Sequence, residues 1–203
     1  MAILRKMLLS VTQEIVFSLG TKYINDYGWN PPRLFWRRTT SAAMRIEQKQ
    51  PFWSGWYSHK FNGPGVRYEV AVCIRTGAIV WIHGPFPCGA WPDIKIFRHA
   101  LVNMLEAGER VESDAGYIGE HPAKTCIPDP LDTPAKADMR SRVRARHETV
   151  NKRFKNFGCM KQVFRQEDLV WHSACFRAVA VITQLSFDAG EPVFDVDYDD
   201  SVV

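Results

Sequence analysis

Two acidic residues, Asp114 and Glu148, have surroundings that suit divalent-metal chemistry. Asp114 ends a short β-like run and is followed by Gly116 and Gly119, so little bulk stands beside its carboxylate. Glu148 lies in a basic helical segment that favours partial shelter and neutralisation by cations. Carboxylates are preferred ligands of Mg²⁺, and two such ions activate the attacking oxygen and stabilise the leaving oxygen of a phosphodiester. The structural alternatives are a turn cap for Asp114 and a surface salt bridge for Glu148; composition alone favours that salt bridge.

Runs of β-branched and aromatic residues predict the strands that would position Asp114. The predicted strands cover residues 34–46, 66–74, 78–83, 110–113 and 124–127. The second and third form a β-hairpin around Gly77, and the fourth ends at Asp114. The segment GPFPCGAWP, residues 84–92, is predicted to end the second hairpin strand.

Apolar residues at three- and four-residue spacing predict the helices. They cover residues 4–15, 94–105, 138–157 and 172–186. Asp93 is predicted to cap the second helix. The third has an apolar face made of Val143, His147, Val150, Phe154 and Phe157. Glu148 is one position off this face, and His147 is predicted to pack in the core. The order of elements predicts an α/β fold with an antiparallel hairpin in a mixed sheet.

The charge distribution favours a polyanionic partner. Net charge is +4, but residues 188–203 hold six acids and no Lys or Arg, so the rest of the chain holds 26 basic against 16 acidic residues. DNA is therefore a predicted partner, and a merely soluble basic surface is the alternative. The predicted DNA-binding residues are Lys60, Arg140, Arg142, Arg144, Arg146, Lys152, Arg153 and Lys155.

Cysteine usage and hydropathy restrict the cellular setting. Five cysteines without a C-x-x-C pair suggest neither a disulfide framework nor a zinc ribbon, and reduced thiols fit an intracellular protein. No uncharged apolar run reaches the roughly 18 residues that span a bilayer, so no membrane association is expected.

Several segments together resemble the DDE superfamily endonuclease domain of Harbinger-type transposases and their domesticated relatives. They are WYSHKFNGPGVRYEVAVCIRTGAIVWIHGPFPCGAWPDIKIFR, ESDAGYIG, RARHETVNKRFKNF, FRAVAVITQL and GEPVF. The resemblance runs from about Arg45 to Tyr198 and implies an RNase H-like fold, a nuclear location and an Asp, Asp, Glu metal triad for Mg²⁺ or Mn²⁺. The second acid matches Asp114 and the third matches Glu148. Asp93 matches a further acid near the site but outside the triad.

The chain departs from this family at the first acid of the triad. The alignment falls on RTTSAAMRI, where Thr40 occupies the expected position, and no acid lies between Asp26 and Glu47. A neutral hydroxyl substitutes poorly for a bridging carboxylate, so two-metal catalysis should fail or drop severely. The upstream segment also differs from the family. The helix-turn-helix domain that usually precedes such nucleases is not found, so a homodimer or a separate DNA-binding partner is expected.

These observations predict three regions: an atypical N-terminal segment at 1–44, a DDE endonuclease-like domain at 45–187 and an acidic tail at 188–203. The resemblance implies a metal- and DNA-binding domain whose ancestral reactions, phosphodiester hydrolysis and strand transfer, are impaired. Two alternatives stay open. One is a DNA-binding or scaffolding protein that keeps the fold without the reaction, and the other is a non-functional relic with an incomplete fold.

Overall fold

A computed structural model describes residues 37–47, 53–165 and 168–196. The strands are β1 Arg37–Arg45, β2 Tyr57–Ser58, β3 Gly63–Cys73, β4 Ile79–Pro87, β5 Val111–Glu112 and β6 Thr125–Cys126. The helices are α1 Asp93–His99, α2 Pro134–Phe154, α3 Gly158–Lys161 and α4 Leu169–Asp188, with short 3₁₀ helices at Ser54–Trp56, Leu101–Met104 and Ala115–Glu120. The predicted N-terminal helix and the end of the acidic tail lie outside the described residues.

The strands form one mixed sheet, as predicted. β3 is antiparallel to β1, β2 and β4, whereas β1, β5 and β6 run parallel. Along the sheet the order is β2-β3-β1-β5-β6, with β4 on the other side of β3. β1 therefore joins the antiparallel part to the parallel part. The boundary between the predicted N-terminal segment and the predicted endonuclease-like domain, at residues 44/45, stays a prediction. A domain starting at Arg45 would lack nearly all of β1.

The hairpin is confirmed, but its second strand is longer than predicted. Gly77 forms the turn at a φ of 75°, a backbone conformation that glycine adopts without strain. The prediction that residues 84–92 break the strand at Gly84 was wrong, because β4 continues to Pro87 and pairs Phe86 with Arg67. Among the described strands β4 pairs only with β3, so it is an edge strand, where a proline that lacks an N–H is tolerated.

Side chains alternate between the two faces along each strand, so both faces of the sheet carry apolar residues. Helices cover both of them. On one face, α2 and α4 pack through Val150, Phe154, Phe176 and Val179 against Ala42, Met44, Val66, Tyr68, Val70 and Val72. On the opposite face, α1 and the 3₁₀ helices pack through Phe97, Leu101, Leu105 and Tyr117 against Ala71 and Val111. The described residues thus form a three-layer α/β arrangement.

Helix ends explain where the predicted helices differ from the observed ones. α2 begins at Pro134, earlier than predicted, because the Thr133 hydroxyl accepts a hydrogen bond from Lys136 N at 3.3 Å. α4 begins at Leu169, where the Asp168 carboxylate accepts from Val170 N at 2.8 Å. The prediction for Asp93 was wrong: it is the first residue of α1 and makes no side-chain cap.

No helix among the described residues is long and apolar enough to cross a membrane.

Candidate functional site

Asp114 stands at the carboxyl end of the parallel part of the sheet. It follows β5 and caps the 3₁₀ helix Ala115–Glu120, where Oδ1 accepts a hydrogen bond from Gly116 N at 2.9 Å. The side chain is exposed. The turn-cap alternative is therefore realised, and the capped carboxylate still faces solvent on a rigid element.

Asp93 and Asp114 border the same point in space, above Gly116. A Cβ atom built on Gly116 would lie 2.9 Å from Asp114 Oδ1 and 3.4 Å from Asp93 Oδ2. The other Asp93 oxygen, Oδ1, is 2.6 Å from Arg67 Nη1. The absence of a side chain at Gly116 thus leaves room between two acids that the sequence singled out separately, and Arg67 neutralises one of them.

Glu148 is more exposed than its position beside the apolar face suggested. Its side chain is 63% exposed, and Oε1 lies 2.9 Å from Arg144 Nε one helical turn away. The predicted shelter was therefore wrong, because Glu148 points outward between the packed face of α2 and solvent. The surface salt bridge is the interaction that the structure contains, and exposed pairs of this kind contribute only a few tenths of a kcal/mol.

The first half of α2 contacts β5 through an ion pair. Arg140 lies 3.4 Å from Glu112, two residues before Asp114. On the other flank, Arg146 and Arg153 bond to carbonyls of residues 191–194. Glu148 lies two turns after Arg140, and at 63% exposure its side chain is turned to solvent, whereas Arg140 is buried.

The two metal ligands predicted from the sequence, Asp114 and Glu148, are carboxylates, the ligand type that commonly holds Mg²⁺ together with substrate phosphate. Within the described ranges, no three or more His, Cys, Asp or Glu side chains are arranged to hold a metal ion. The assignment of Asp114 and Glu148 as metal ligands stays a prediction.

Thr40 takes part in a hydrogen-bonded chain between β1 and α2. Its Oγ1 lies 3.0 Å from His147 Nδ1 and 3.4 Å from Asn151 Nδ2, and His147 Nε2 lies 3.0 Å from Val70 O. A carbonyl only accepts, so Nε2 holds a proton, and Nδ1 of a neutral imidazole would accept from the Thr40 hydroxyl. His147 is 1% exposed, which confirms its core position. Asn151 received no role from the sequence, although it is one helical turn after His147.

A buried acidic residue, Glu69, lies on the face of the sheet that α1 covers. Its Oε2 accepts a hydrogen bond from Trp81 Nε1 at 3.0 Å. Burial raises the pKa of Glu69 from 4.5 to about 8; the bond to Trp81 lowers it, and the Asp93 charge adds to the rise. Sequence reasoning missed Glu69, although an acid at an inward-facing position of a predicted strand was a signal.

Tyr117 is a fully buried tyrosine in the 3₁₀ helix that follows Asp114. Burial is the main cause that raises the pKa of the Tyr117 hydroxyl well above its usual value, and the charges of Glu69, Asp93 and Asp114 raise it further. Its ring packs edge-on against Phe97 at a centroid distance of 5.7 Å. Three carboxyl groups thus act on one buried hydroxyl, from positions far apart in the sequence.

The predicted DNA-binding residues divide into buried and exposed groups. Arg140 and Arg146 are 7% and 2% exposed and bond within the protein, so their guanidinium groups are not available to a partner in this conformation. Arg153 is partly buried against Phe187 and the carbonyl of Glu191. The exposed or partly exposed remainder is Lys60, Arg142, Arg144, Lys152 and Lys155.

Comparison of the chain with models of known protein families, with curated proteins and with solved structures gives no match. The resemblance to DDE endonucleases stays a prediction from the motifs.

Proposed function

We propose that this chain is a transposase-derived DDE endonuclease-like domain with an RNase H-like fold, which binds DNA and a divalent metal ion and cleaves phosphodiesters weakly or not at all. The observation that carries the proposal is the position of Asp114 at the end of β5, next to β1 in the sheet, with α2, the helix that bears Glu148, joined to β1 through Thr40 and His147. The proposal requires the two carboxylates, which come from distant parts of the chain, to approach each other beside β1.

The proposed ion is Mg²⁺ or Mn²⁺, held by Asp114 and Glu148 and completed by water and a DNA phosphate. Such an ion supplies a Lewis acid for the phosphodiester and lowers the pKa of bound water. Thr40 explains the impairment, because its hydroxyl is neutral and is engaged with His147 and Asn151. Asp93 is bonded to Arg67 and does not replace the missing acid.

Thr40→Asp is expected to raise Mn²⁺-dependent nicking of supercoiled plasmid at least about tenfold, because it restores a third metal ligand. Asn151 is placed to donate a hydrogen bond to the new carboxylate. The matched control is Thr40→Asn, which has similar size and no charge and should leave nicking at the wild-type level. Adding Asp114→Asn to Thr40→Asp should abolish the gain.

Two results would contradict the proposal. Robust nicking by the wild type that Asp114→Ala abolishes would show that Thr40 does not impair the site. A folded Thr40→Asp variant, judged by circular dichroism, that gains no activity would mean that Thr40 does not hold the position of the first acid.

A second candidate function is DNA binding without cleavage. The hydrogen-bonded chain from Val70 O through His147 to Thr40 favours it, because the Thr40 hydroxyl, at the position of the missing acid, is hydrogen-bonded within the protein. DNA affinity that falls steeply with added salt and is unchanged by EDTA supports this candidate. Affinity that EDTA lowers supports a metal-dependent site.

A further inference from the structure

Two histidines from different elements meet on the face of the sheet that α1 covers. His83 lies on β4, the edge strand, and His99 is the last residue of α1. His83 Nε2 lies 3.0 Å from His99 Nδ1, a direct contact between two imidazole rings that is accessible to solvent. His99 is exposed and His83 is partly buried. We define His83 and His99 as the histidine pair.

The contact between the rings holds one proton. In a pair of neutral imidazoles, one facing nitrogen donates and the other accepts. The outer nitrogens, His83 Nδ1 and His99 Nε2, make no hydrogen bond to any of the described residues. No described group therefore fixes the tautomer, and the shared proton can be transferred through solvent to the outer nitrogen of its own ring. Both facing nitrogens then present lone pairs to one cation.

The distance between the facing nitrogens is close to that between two ligands of one tetrahedral ion. Zinc–imidazole bonds of about 2.0–2.1 Å at a tetrahedral angle place two nitrogens about 3.3 Å apart. The 3.0 Å contact would therefore have to open by only about 0.3 Å, with a turn of the rings toward the ion. The backbone positions on β4 and α1 are already suitable for a shared ligand.

Aromatic neighbours hold the histidine pair together. The Phe86 ring lies edge-on to both imidazoles, at centroid distances of 4.9 Å from His83 and 5.6 Å from His99. The Trp91 ring lies edge-on to His99 at 5.3 Å. Because the two imidazoles are together before any ligand binds, less side-chain freedom is lost on binding. Aromatic packing without a ligand is the structural alternative.

The environment of the histidine pair favours the neutral form that binds metals. Burial is the first cause that lowers the pKa of His83, and the charges of His99 and Arg177 lower it further. Neutral imidazole suits Zn²⁺, Ni²⁺ and Cu²⁺, whereas Mg²⁺ prefers oxygen ligands. Within the described ranges no third His, Cys, Asp or Glu joins the pair. Water would complete the coordination.

We propose that the histidine pair is a bidentate site for a borderline transition-metal ion, with Zn²⁺ as its first candidate. Both ligands are neutral nitrogens, so the site differs in chemistry from the carboxylate site proposed at Asp114 and Glu148 for Mg²⁺ or Mn²⁺. Zn²⁺ binding here is independent of the proposed function. Because the proton between the rings is kept on an outer nitrogen, two neutral imidazoles bind the ion without net release of a proton.

The test measures the Zn²⁺ affinity of the full chain at neutral pH by competition with a zinc-binding dye, with the cysteines kept reduced by a phosphine. His83→Gln and His99→Gln are each expected to weaken the binding of one ion at least about tenfold, because the second ligand no longer acts within the same molecule. His59→Gln is the matched control, because His59 is an exposed histidine outside the pair, edge-on to Tyr57. Cys159→Ser is the control for an exposed thiol, which also binds Zn²⁺. Both controls should change the affinity less than twofold.

The ring ¹⁵N signals of the wild type provide a second measurement that does not depend on the folding of a variant. Signals of both His83 and His99 should shift together on addition of one equivalent of Zn²⁺. Circular dichroism verifies the fold of each variant.

Several outcomes would overturn the histidine pair as a metal site. They are no Zn²⁺ binding by the wild type, binding that both histidine variants retain, and equal weakening by all four variants. A loss in only one histidine variant, or a shift of only one ring signal, would show a single surface imidazole and not a bidentate site. None of these outcomes bears on Mn²⁺-dependent nicking, because the carboxylate site uses neither histidine.

Discussion

Arg140→Met is expected to lower the free energy of unfolding by about 3–5 kcal/mol, the range for breaking a buried ion pair from one side. Arg140 is 7% exposed, and its Nη1 lies 2.7 Å from Asp132 Oδ2 while its Nε lies 3.4 Å from Glu112 Oε1. Glu112 is fully buried. Methionine would fill a similar volume but take the guanidinium away from the buried Glu112 carboxylate. Urea denaturation at neutral pH measures the effect.

Arg142→Met is the matched control, because Arg142 is an exposed arginine on the same helix whose Nη2 donates to Asp195 O at 3.3 Å. Its replacement should cost less than about 1 kcal/mol. Adding Glu112→Met to Arg140→Met should recover much of the lost stability, because the buried carboxylate that lost the Arg140 guanidinium is then removed too. If Arg140→Met costs no more than Arg142→Met, the buried ion pair does not stabilise the fold.

Glu69→Gln is expected to stabilise the protein at pH 9 and to change little at pH 4. The pKa of Glu69 is raised in the folded state to about 8 from 4.5, so the folded state retains a proton that the unfolded chain releases. The contribution to stability is therefore complete below pH 4.5 and is lost as the pH rises toward 8. Because each pKa unit corresponds to about 1.4 kcal/mol, we expect an effect on the order of 3 kcal/mol after relaxation. Glutamine stays neutral and keeps an acceptor for Trp81.

Urea denaturation of the wild type and Glu69→Gln between pH 4 and pH 9 tests this expectation. The two curves should agree at low pH and separate above pH 5. Glu106→Gln removes a carboxylate from an exposed position on the same side of the sheet and serves as the control. Parallel curves for the wild type and Glu69→Gln over the whole range would mean that Glu69 is ionised in the folded protein.

Much of the fold could be predicted from local patterns. The strand at Val111–Glu112, the hairpin around Gly77 and the helix over residues 138–154, though not its start at Pro134, follow from β-branched runs, a glycine turn and helical spacing. The errors occurred where neighbours decide the outcome. Prolines 85 and 87 are compatible with a strand only because β4 is at the edge of the sheet, a position that is not encoded locally.

The candidate site was predictable only in part. Asp114 at a strand end and His147 in the core follow from the order of residues, and both are observed. The pairing of Asp93 with Arg67 was not predictable, because Asp93 also had the sequence position of a helix cap. The position of Glu148 was misjudged because helical spacing locates a residue near the packed face but does not measure its exposure.

The sequence by itself determined the alternation of strands and helices, since hydrophobic periodicity and turn residues act over a few neighbouring positions. It also determined which side chains could do chemistry. Only the tertiary structure decided which charges face inward, because burial depends on partners far away in the chain. Arg140 is buried because Glu112 and Asp132 pair with it, whereas Arg142 and Arg144 on the same helix stay exposed.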